Sequence, residues 1–405
     1  MSLPRILLIS ATTPGEESTG GVYLRTICDA YPKGLISAFT VTATQRFKVP
    51  KGMEWLPMAF APKPTLLPSP AHPHKAIRLA QLRAWSATIR TVILGLVQEI
   101  SRFAKRQGTD LVWVVLNDPL LFKIAWRVAR AINVELVSMV WDPPEYLIRN
   151  LNLRPWMDRS LQREFDHTLR MSRLCGAISE NMACEYKNKY GIPALTMMHS
   201  IDVRHSYRPC SKLRGPNRLI IGFAGSLYAR QEWEALLGAL SDANWIVAGR
   251  NVSIQFMGGG DPSSVTTGMP VQRLGWRSQS EAIRLLSEVD VAYLPYWFDK
   301  RFAIATRLSF PSKLTAYAAA GKPVLFHGPV DSSVTGFFEQ YPMGVVCHSL
   351  LAQNILQSLA IFTNPKFYAT AAQATDRAFS EVFDWRVSRL RVARFFGVSP
   401  ECLTS

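Results

Sequence analysis

Apolar runs bounded by turn residues alternate along the chain with segments whose apolar positions recur every three to four residues, the pattern of a parallel sheet flanked by helices. In the first half the runs predict strands over 5–10, 38–43, 111–116, 135–140 and 174–179. In the second half they predict strands over 219–224, 252–257, 289–294 and 323–326. Two doubly wound, Rossmann-like α/β domains follow. The segment 206–217 is polar, holds two prolines and a glycine and follows neither period, so it reads as the linker. The expected boundary is therefore near 210, with domains over 1–210 and 211–380. The proline-rich stretch 49–73 reads as a long surface loop, and no repeat of fixed period is present.

One helical stretch, 75–106, carries Leu82, Trp85, Ile89, Val92, Leu96, Ile100 and Phe103 at helical spacing among Lys75, Arg78, Arg83, Arg90, Arg102, Lys105 and Arg106. Either this stripe seats on an anionic membrane surface, with arginines among the headgroups, or it faces the domain's own core and the cations are solvated. The charge sharpens the question. Over 405 residues the formal net charge is +16, with the excess larger before residue 200 than after it, which favours an anionic partner: nucleic acid, an acidic membrane or a phosphorylated substrate. No interleaved aromatic and basic sheet and no recognition helix supports nucleic acid. The six cysteines lack metal or disulfide spacing, which points to a reducing compartment. The first apolar run is too short for a secretory signal, and no run of 18 apolar residues occurs, so the expected location is cytoplasmic, with peripheral attachment to the inner membrane face as the alternative.

The segment Ser309-Phe-Pro-Ser-Lys-Leu-Thr-Ala-Tyr-Ala-Ala-Ala-Gly-Lys-Pro-Val-Leu325 reads as loop, helix and strand. Pro311 suits a first helical turn whose N–H groups at Ser312, Lys313 and Leu314 are expected to point outward, Lys313 adds a full charge and Gly321 closes the helix. Such an end attracts a diphosphate; the plainer reading is a helix that only packs on a sheet. After the first strand, the Gly20-Gly21 pair opens a helix and is expected to leave its N-terminus free for an anion. The dinucleotide fingerprint G-x-G-x-x-G is not met there, and a tight turn is the alternative.

Phe223-Ala-Gly-Ser-Leu-Tyr-Ala-Arg230 ends the first strand of the second half, placing Gly225 and Ser226 at the carboxyl edge of the sheet, with Arg230 either reaching a phosphate or serving as a surface arginine. Gly258-Gly259-Gly260 ends a later strand and Leu274-Gly275-Trp276-Arg277 lies in a turn beside the next helix, both where a nucleotide base and ribose lie if the diphosphate is near Lys313. Asp142, in Val140-Trp-Asp-Pro-Pro-Glu145, either orients a sugar or takes a proton, or it caps the turn at Pro143-Pro144. Leu116-Asn-Asp-Pro119 ends a neighbouring strand, and Glu180 reads as a helix-start carboxylate. The histidines, among them His72, His74 and His199, form no metal-binding spacing, and no nucleophile elbow is present.

Taken in order, Gly20-Gly21, Phe-Ala-Gly-Ser-Leu-Tyr, Phe-Met-Gly-Gly-Gly, Leu-Gly-Trp, Val-Ala-Tyr-Leu-Pro-Tyr and Phe-Pro-Ser-Lys-Leu-x-x-Tyr-x-x-x-Gly-Lys-Pro-Val resemble the bacterial GT-B glycosyltransferases, family 4 above all, over nearly the whole chain. Ala177-Ile-Ser-Glu-Asn-Met182 and Phe383-Asp-Trp385 also fall where that family has a strand-to-helix turn and a terminal helix crossing back to the first domain, so the resemblance makes 381–405 that helix. The resemblance implies two domains facing across a cleft, a C-terminal domain holding a nucleotide-diphosphate sugar, an N-terminal domain presenting a polysaccharide or lipid-linked glycan acceptor, a retaining outcome and no metal or other cofactor. Candidate catalytic residues are Asp142, Arg230 and Lys313; candidate donor-binding residues are Gly20, Gly21, Gly225, Ser226, Gly259, Gly275, Trp276, Ser312 and Leu314. Two departures stand out. Leu308 and Ala316 occupy the places of the family's paired glutamates, and Ser226 and Gln231 those of its Arg and Lys, so donor binding is rebuilt from Asp299, Arg301, Arg307 and Lys313, or activity is lost. Two alternatives therefore stand beside the transferase: a non-catalytic subunit binding nucleotide sugar or anionic lipid, and a sugar-nucleotide epimerase on the same fold.

Overall fold

A computed structural model describes residues 3–42, 48–64, 79–151, 155–259 and 268–404, the side chains of 79–89 excepted. The chain divides into two compact units: the first comprises Met1–Ile178, Met182–Met197 and Val392–Ser405, the second Ser179–Asn181 and Met198–Arg391.

In the first unit, β1 (Ile6–Ser10), β2 (Ile36–Thr42), β3 (Met58–Pro62), β4 (Leu111–Val115), β5 (Glu135–Val140), β6 (Leu174–Ala177) and β7 (Ala194–Thr196) form a sheet in the order β3-β2-β1-β4-β5-β6-β7, every pair parallel. β1 and β4 are buried along their whole length, as unbroken apolar runs must be when helices cover both sheet faces. The second unit holds β8 (Arg218–Ala224), β9 (Ile246–Val247), β10 (Arg250–Met257), β11 (Val271–Arg273), β12 (Val291–Pro295), β13 (Val324–His327) and β14 (Gly344–Cys347). Their order is β11-β10-β8-β12-β13-β14, parallel throughout, with the short β9 antiparallel to β10. The strand order reverses beside β1 in one sheet and beside β8 in the other, and the crevice at the carboxyl ends of such a switch point is where open α/β sheets bind ligands.

Three expectations are revised. Part of the stretch read as a surface loop, Met58–Pro62, is the edge strand β3, paired with β2 from Ala38↔Met58 to Thr42↔Pro62; an edge strand needs no continuous apolar run and tolerates a terminal proline. Residues 65–73 of that stretch, with His72, lie outside the described residues, as does His74. The segment 206–217 belongs to the second unit, because the chain is tied in before it: Ile201 bridges Asp384, and the Tyr207 N–H donates to the Ala319 carbonyl at 2.7 Å. At the other end the return to the first unit begins at Val392, inside the helix Trp385–Phe396, and not at 381. Phe396 is what holds it: its ring lies 5.3 Å from that of Trp113 and 5.6 Å from that of Tyr31, both edge-on and all buried.

The basic amphipathic segment is a helix over Leu79–Gln107. In its described part Ile93, Leu96, Val97, Ile100, Phe103 and Ala104 are buried, and Phe103 meets Phe39 edge-on at 5.8 Å. The apolar stripe therefore faces the unit's own core, as the second reading held, while Arg90, Leu94, Arg102, Lys105 and Arg106 are exposed. Lys75 and Arg78 lie outside the described residues, and the side chains of Leu82, Arg83, Trp85 and Ile89 are likewise not described.

Candidate functional site

The carboxyl ends of β8 and β12 assemble most of the candidates of the second unit. β8 runs into Gly225, whose φ of +100° is open to glycine and costly for other residues. A Cβ there would stand 3.1 Å from Cε and 3.5 Å from Nζ of Lys313, so Gly225 and Lys313 are neighbours. The Lys313 ammonium sits 4.2 Å from the centroid of the Tyr228 ring and 5.6 Å from that of Phe223. Among the described residues no carboxylate pairs with it, and burial pushes it down to about 7.

The backbone at this tip differs from the expectation. The helix is short, Lys313–Ala319, and the N–H of Leu314 already donates to the Pro311 carbonyl at 3.1 Å, because the Pro311 turn closes on itself. Leu314 cannot offer that N–H to an anion, and its side chain is fully buried. Ser312 precedes the helix without capping it by its side chain. Gly321 is left-handed at φ +66°, closing the helix as expected. The charge of Lys313, more than a helix end, makes this place attractive to anions.

Around it, Ser226 is exposed, and Arg230 is exposed at the start of the helix Arg230–Asp242. Two residues on, Glu232 is buried; its Oε1 accepts the Phe298 N–H at 2.7 Å, and burial raises its acid above the usual range. Trp297 donates Nε1–H to the Tyr228 carbonyl at 3.1 Å and lies 4.6 Å from the Tyr228 ring. Gly259 has open space around it, while Gly260 lies outside the described residues. Gly275 is left-handed and Trp276 is 62% exposed, with the Arg277 guanidinium on its carbonyl. Of the residues proposed to rebuild the donor site, Asp299 is engaged by Arg301 at the backbone N–H and at Nε. The Arg307 carbonyl accepts from Asn181 at 3.1 Å. Leu308, in the place of a family glutamate, is buried, with its carbonyl held by the Ser179 hydroxyl at 2.5 Å.

In the first unit Gly20 packs against Trp141, the residue before Asp142: the ring atom Cζ3 would lie 2.7 Å from a Cβ on Gly20. Asp142 is half-buried, just ahead of the helix Pro144–Arg149, whose N-cap is Pro143. Burial, with the charge of Asp142 adding to it, raises the Tyr146 hydroxyl.

Gly21 is a correction. The helix begins at Thr19 behind Ser18, whose Oγ accepts the Gly21 N–H at 3.0 Å, and the Gly21 carbonyl accepts from Gly15. A side chain there would strike the carbonyl oxygens of Thr13 and Gly15 at 2.8 and 2.9 Å. Glycine is needed for the loop's own packing, and the Gly21 N–H is not free for an anion. Asp118 is likewise committed, capping Leu120 and pairing with Lys63, while Asn117 bridges the Ala11 N–H and the Thr12 hydroxyl across the β1–β4 switch point.

The ring shelf under Lys313 is what the sequence reading missed. Tyr228 stood inside a quoted motif, but no periodicity relates it to a lysine 85 positions later.

No protein-family model matches the chain, and no curated protein matches it in sequence. Solved structures do. Sucrose-phosphate synthase from Thermosynechococcus elongatus superposes with a TM-score of 0.68 at 12% identity, covering 97% of this chain and 98% of that one. Anabaena HepE in complex with UDP gives 0.65 at 16% identity over 97% and 99%. WaaG, a glycosyltransferase involved in lipopolysaccharide biosynthesis, gives 0.57 at 12% identity over 96% and 100%. The fold is GT-B, with two Rossmann-like domains of parallel sheet.

Proposed function

We propose that the protein is a glycosyltransferase that takes a sugar from a nucleoside-diphosphate donor to a hydroxyl of a polysaccharide or lipid-linked glycan, with retention at the anomeric carbon. One observation carries the reading: the Lys313 ammonium stands at the carboxyl edge of the β8–β12 switch point with no carboxylate partner among the described residues. A half-buried cation without a counter-ion is unfavourable, and a diphosphate supplies the missing charge.

In this reading the bond from the anomeric carbon to the diphosphate oxygen breaks, the acceptor oxygen bonds to that carbon, and the acceptor proton leaves to a base. Lys313 and Arg230 stabilise the charge growing on the departing diphosphate, a contribution on the order of 2–4 kcal/mol per well-placed donor. Gly225, Ser226 and Ser312 line the diphosphate, and Gly259, Gly275 and the exposed Trp276 lie toward ribose and base. In the first unit Asp142 serves the acceptor. The exposed Arg90, Arg102, Lys105 and Arg106 lead to peripheral contact with an anionic membrane.

Purified protein incubated with UDP-, GDP- and dTDP-sugars, with and without membrane extract, tests this by release of free nucleoside diphosphate. Release that depends on extract is expected. The buried Leu308 and the Ala316 in place of two family glutamates favour one other reading, a nucleotide-sugar-binding subunit without turnover, which binding without release would establish. Conversion of one nucleotide sugar into another without extract would instead mark an epimerase.

A further inference from the structure

We propose that the Tyr228 ring is the positioning surface of Lys313, holding its ammonium at the carboxyl edge of β8 by a cation–π contact where a carboxylate would otherwise stand. The inference rests on the reading of Lys313 as a diphosphate ligand. A lysine whose stem is buried has two ordinary ways to fix its head, an ion pair or an aromatic face. An ion pair would neutralise the charge and compete with an incoming phosphate. An aromatic face attracts the cation through its quadrupole and leaves the N–H donors available to a ligand on the other side. The contact of 4.2 Å from Nζ to the ring centroid is well inside the range of such attraction. Gly225 leaves the room: a side chain there would enter the space of Cε and Nζ.

The shelf is itself fixed. Trp297 holds Tyr228 by the Nε1–H bond to its carbonyl and by ring contact at 4.6 Å, tilted 47°. On its other neighbour, Phe302, the Trp297 ring stacks at 4.6 Å and 27°. One residue on, the Phe298 N–H is bonded to the buried Glu232 carboxylate. The loop after β8 and the segment after β12 are thus strapped together at the switch point, and the strap ends on the ring that carries Lys313. Burial of the ammonium pushes Lys313 down, as expected where a ring and not a charge faces it.

A double-mutant cycle tests this. UDP, GDP and dTDP are each titrated calorimetrically into the full chain as wild type, Tyr228→Phe, Tyr228→Leu, Lys313→Met and the Tyr228→Leu/Lys313→Met pair, with melting curves to confirm folding. Tyr228→Met repeats the cycle with a different aliphatic side chain should the leucine variant melt early. Tyr228→Phe is expected to bind within about twofold of wild type, and Tyr228→Leu about tenfold more weakly, the size of a desolvated cation–π contact. In the Lys313→Met background the leucine change is expected to add nothing. Equal weakening in both backgrounds, or none in the wild-type background, refutes the positioning role while a weak Lys313→Met leaves the diphosphate reading standing. Unchanged binding by Lys313→Met, or a wild type that binds none of the three nucleotides, overturns both.

Discussion

The backbone N–H of Phe298 donates to the Glu232 carboxylate at 2.7 Å, joining the first turn of the helix after β8 to the segment that follows β12. Because Glu232 is buried and burial raises its acid, the stability tied to its neutral form is present below the ordinary glutamate range and is lost as pH rises through the raised value. Glu232→Gln keeps an acceptor for Phe298 and should remove that pH dependence. Glu232→Ala orphans the Phe298 N–H and should cost about 1–3 kcal/mol. Urea unfolding at a series of pH values checks both; a wild type and glutamine variant with parallel pH profiles would contradict the assignment.

Lys313 should make donor binding depend on pH with a definite sign. Its ammonium is pushed down to about 7 in the free protein, and a bound diphosphate favours the charged form. Affinity for the nucleoside diphosphate should therefore be greatest below pH 7 and fall as pH rises above it, by up to about tenfold per unit. Lys313→Met should flatten this dependence, as followed by calorimetry between pH 6 and 9.

The same lysine should trade stability for function. A lysine lowered on folding contributes stability above its unfolded value that is lost as pH falls toward 7. At pH 6 Lys313→Met should be more stable than wild type, by on the order of 1 kcal/mol or more, while binding nucleotide worse. Thermal melts at pH 6 that show a loss in stability would argue for a purely structural lysine.

Gly225→Ala should cost about 1–2 kcal/mol of stability from the positive φ alone and weaken nucleotide binding further by displacing Lys313. Binding at wild-type strength in a folded alanine variant would remove Gly225 from the site.

Charge reversal of Arg102, Lys105 and Arg106 tests membrane contact through the exposed face of the helix Leu79–Gln107. At about 1 kcal/mol per cation near an anionic surface, the triple variant should lose at least a hundredfold in binding to phosphatidylglycerol vesicles. Equal sedimentation of both proteins with those vesicles would place contact elsewhere or nowhere.

Asp142→Asn should lower turnover by about a hundredfold or more while leaving nucleoside diphosphate binding nearly unchanged, if the carboxylate serves the acceptor. Parallel loss of nucleotide affinity would move its role to the donor.

Much of the architecture was legible in the chain because buried parallel strands are written as local apolar runs. Ile6–Ser10, Leu111–Val115 and Glu135–Val140 could be found that way, since each is covered on both faces and tolerates little else. Met58–Pro62, Val271–Arg273 and Gly344–Cys347 escaped, because short, partly buried strands at sheet edges leave no such run. Gly20-Gly21 was ambiguous for a related reason. Two glycines at a helix start signal either ligand approach or crowding by the chain itself, and only the Thr13 and Gly15 carbonyls beneath Gly21 decide for crowding there.

The alternation of strands and helices and the lysine next to a proline-headed helix could be read from neighbours within a few residues, and the surplus of positive charge from composition. It took the folded chain to show that Tyr228 and Lys313 meet, that Leu314 has spent its N–H on Pro311, and that the stripe on the helix Leu79–Gln107 faces its own core where it is described. Such outcomes rest on contacts between segments far apart in the chain, where burial and competition for hydrogen bonds, and not local spacing, set what each group is free to do.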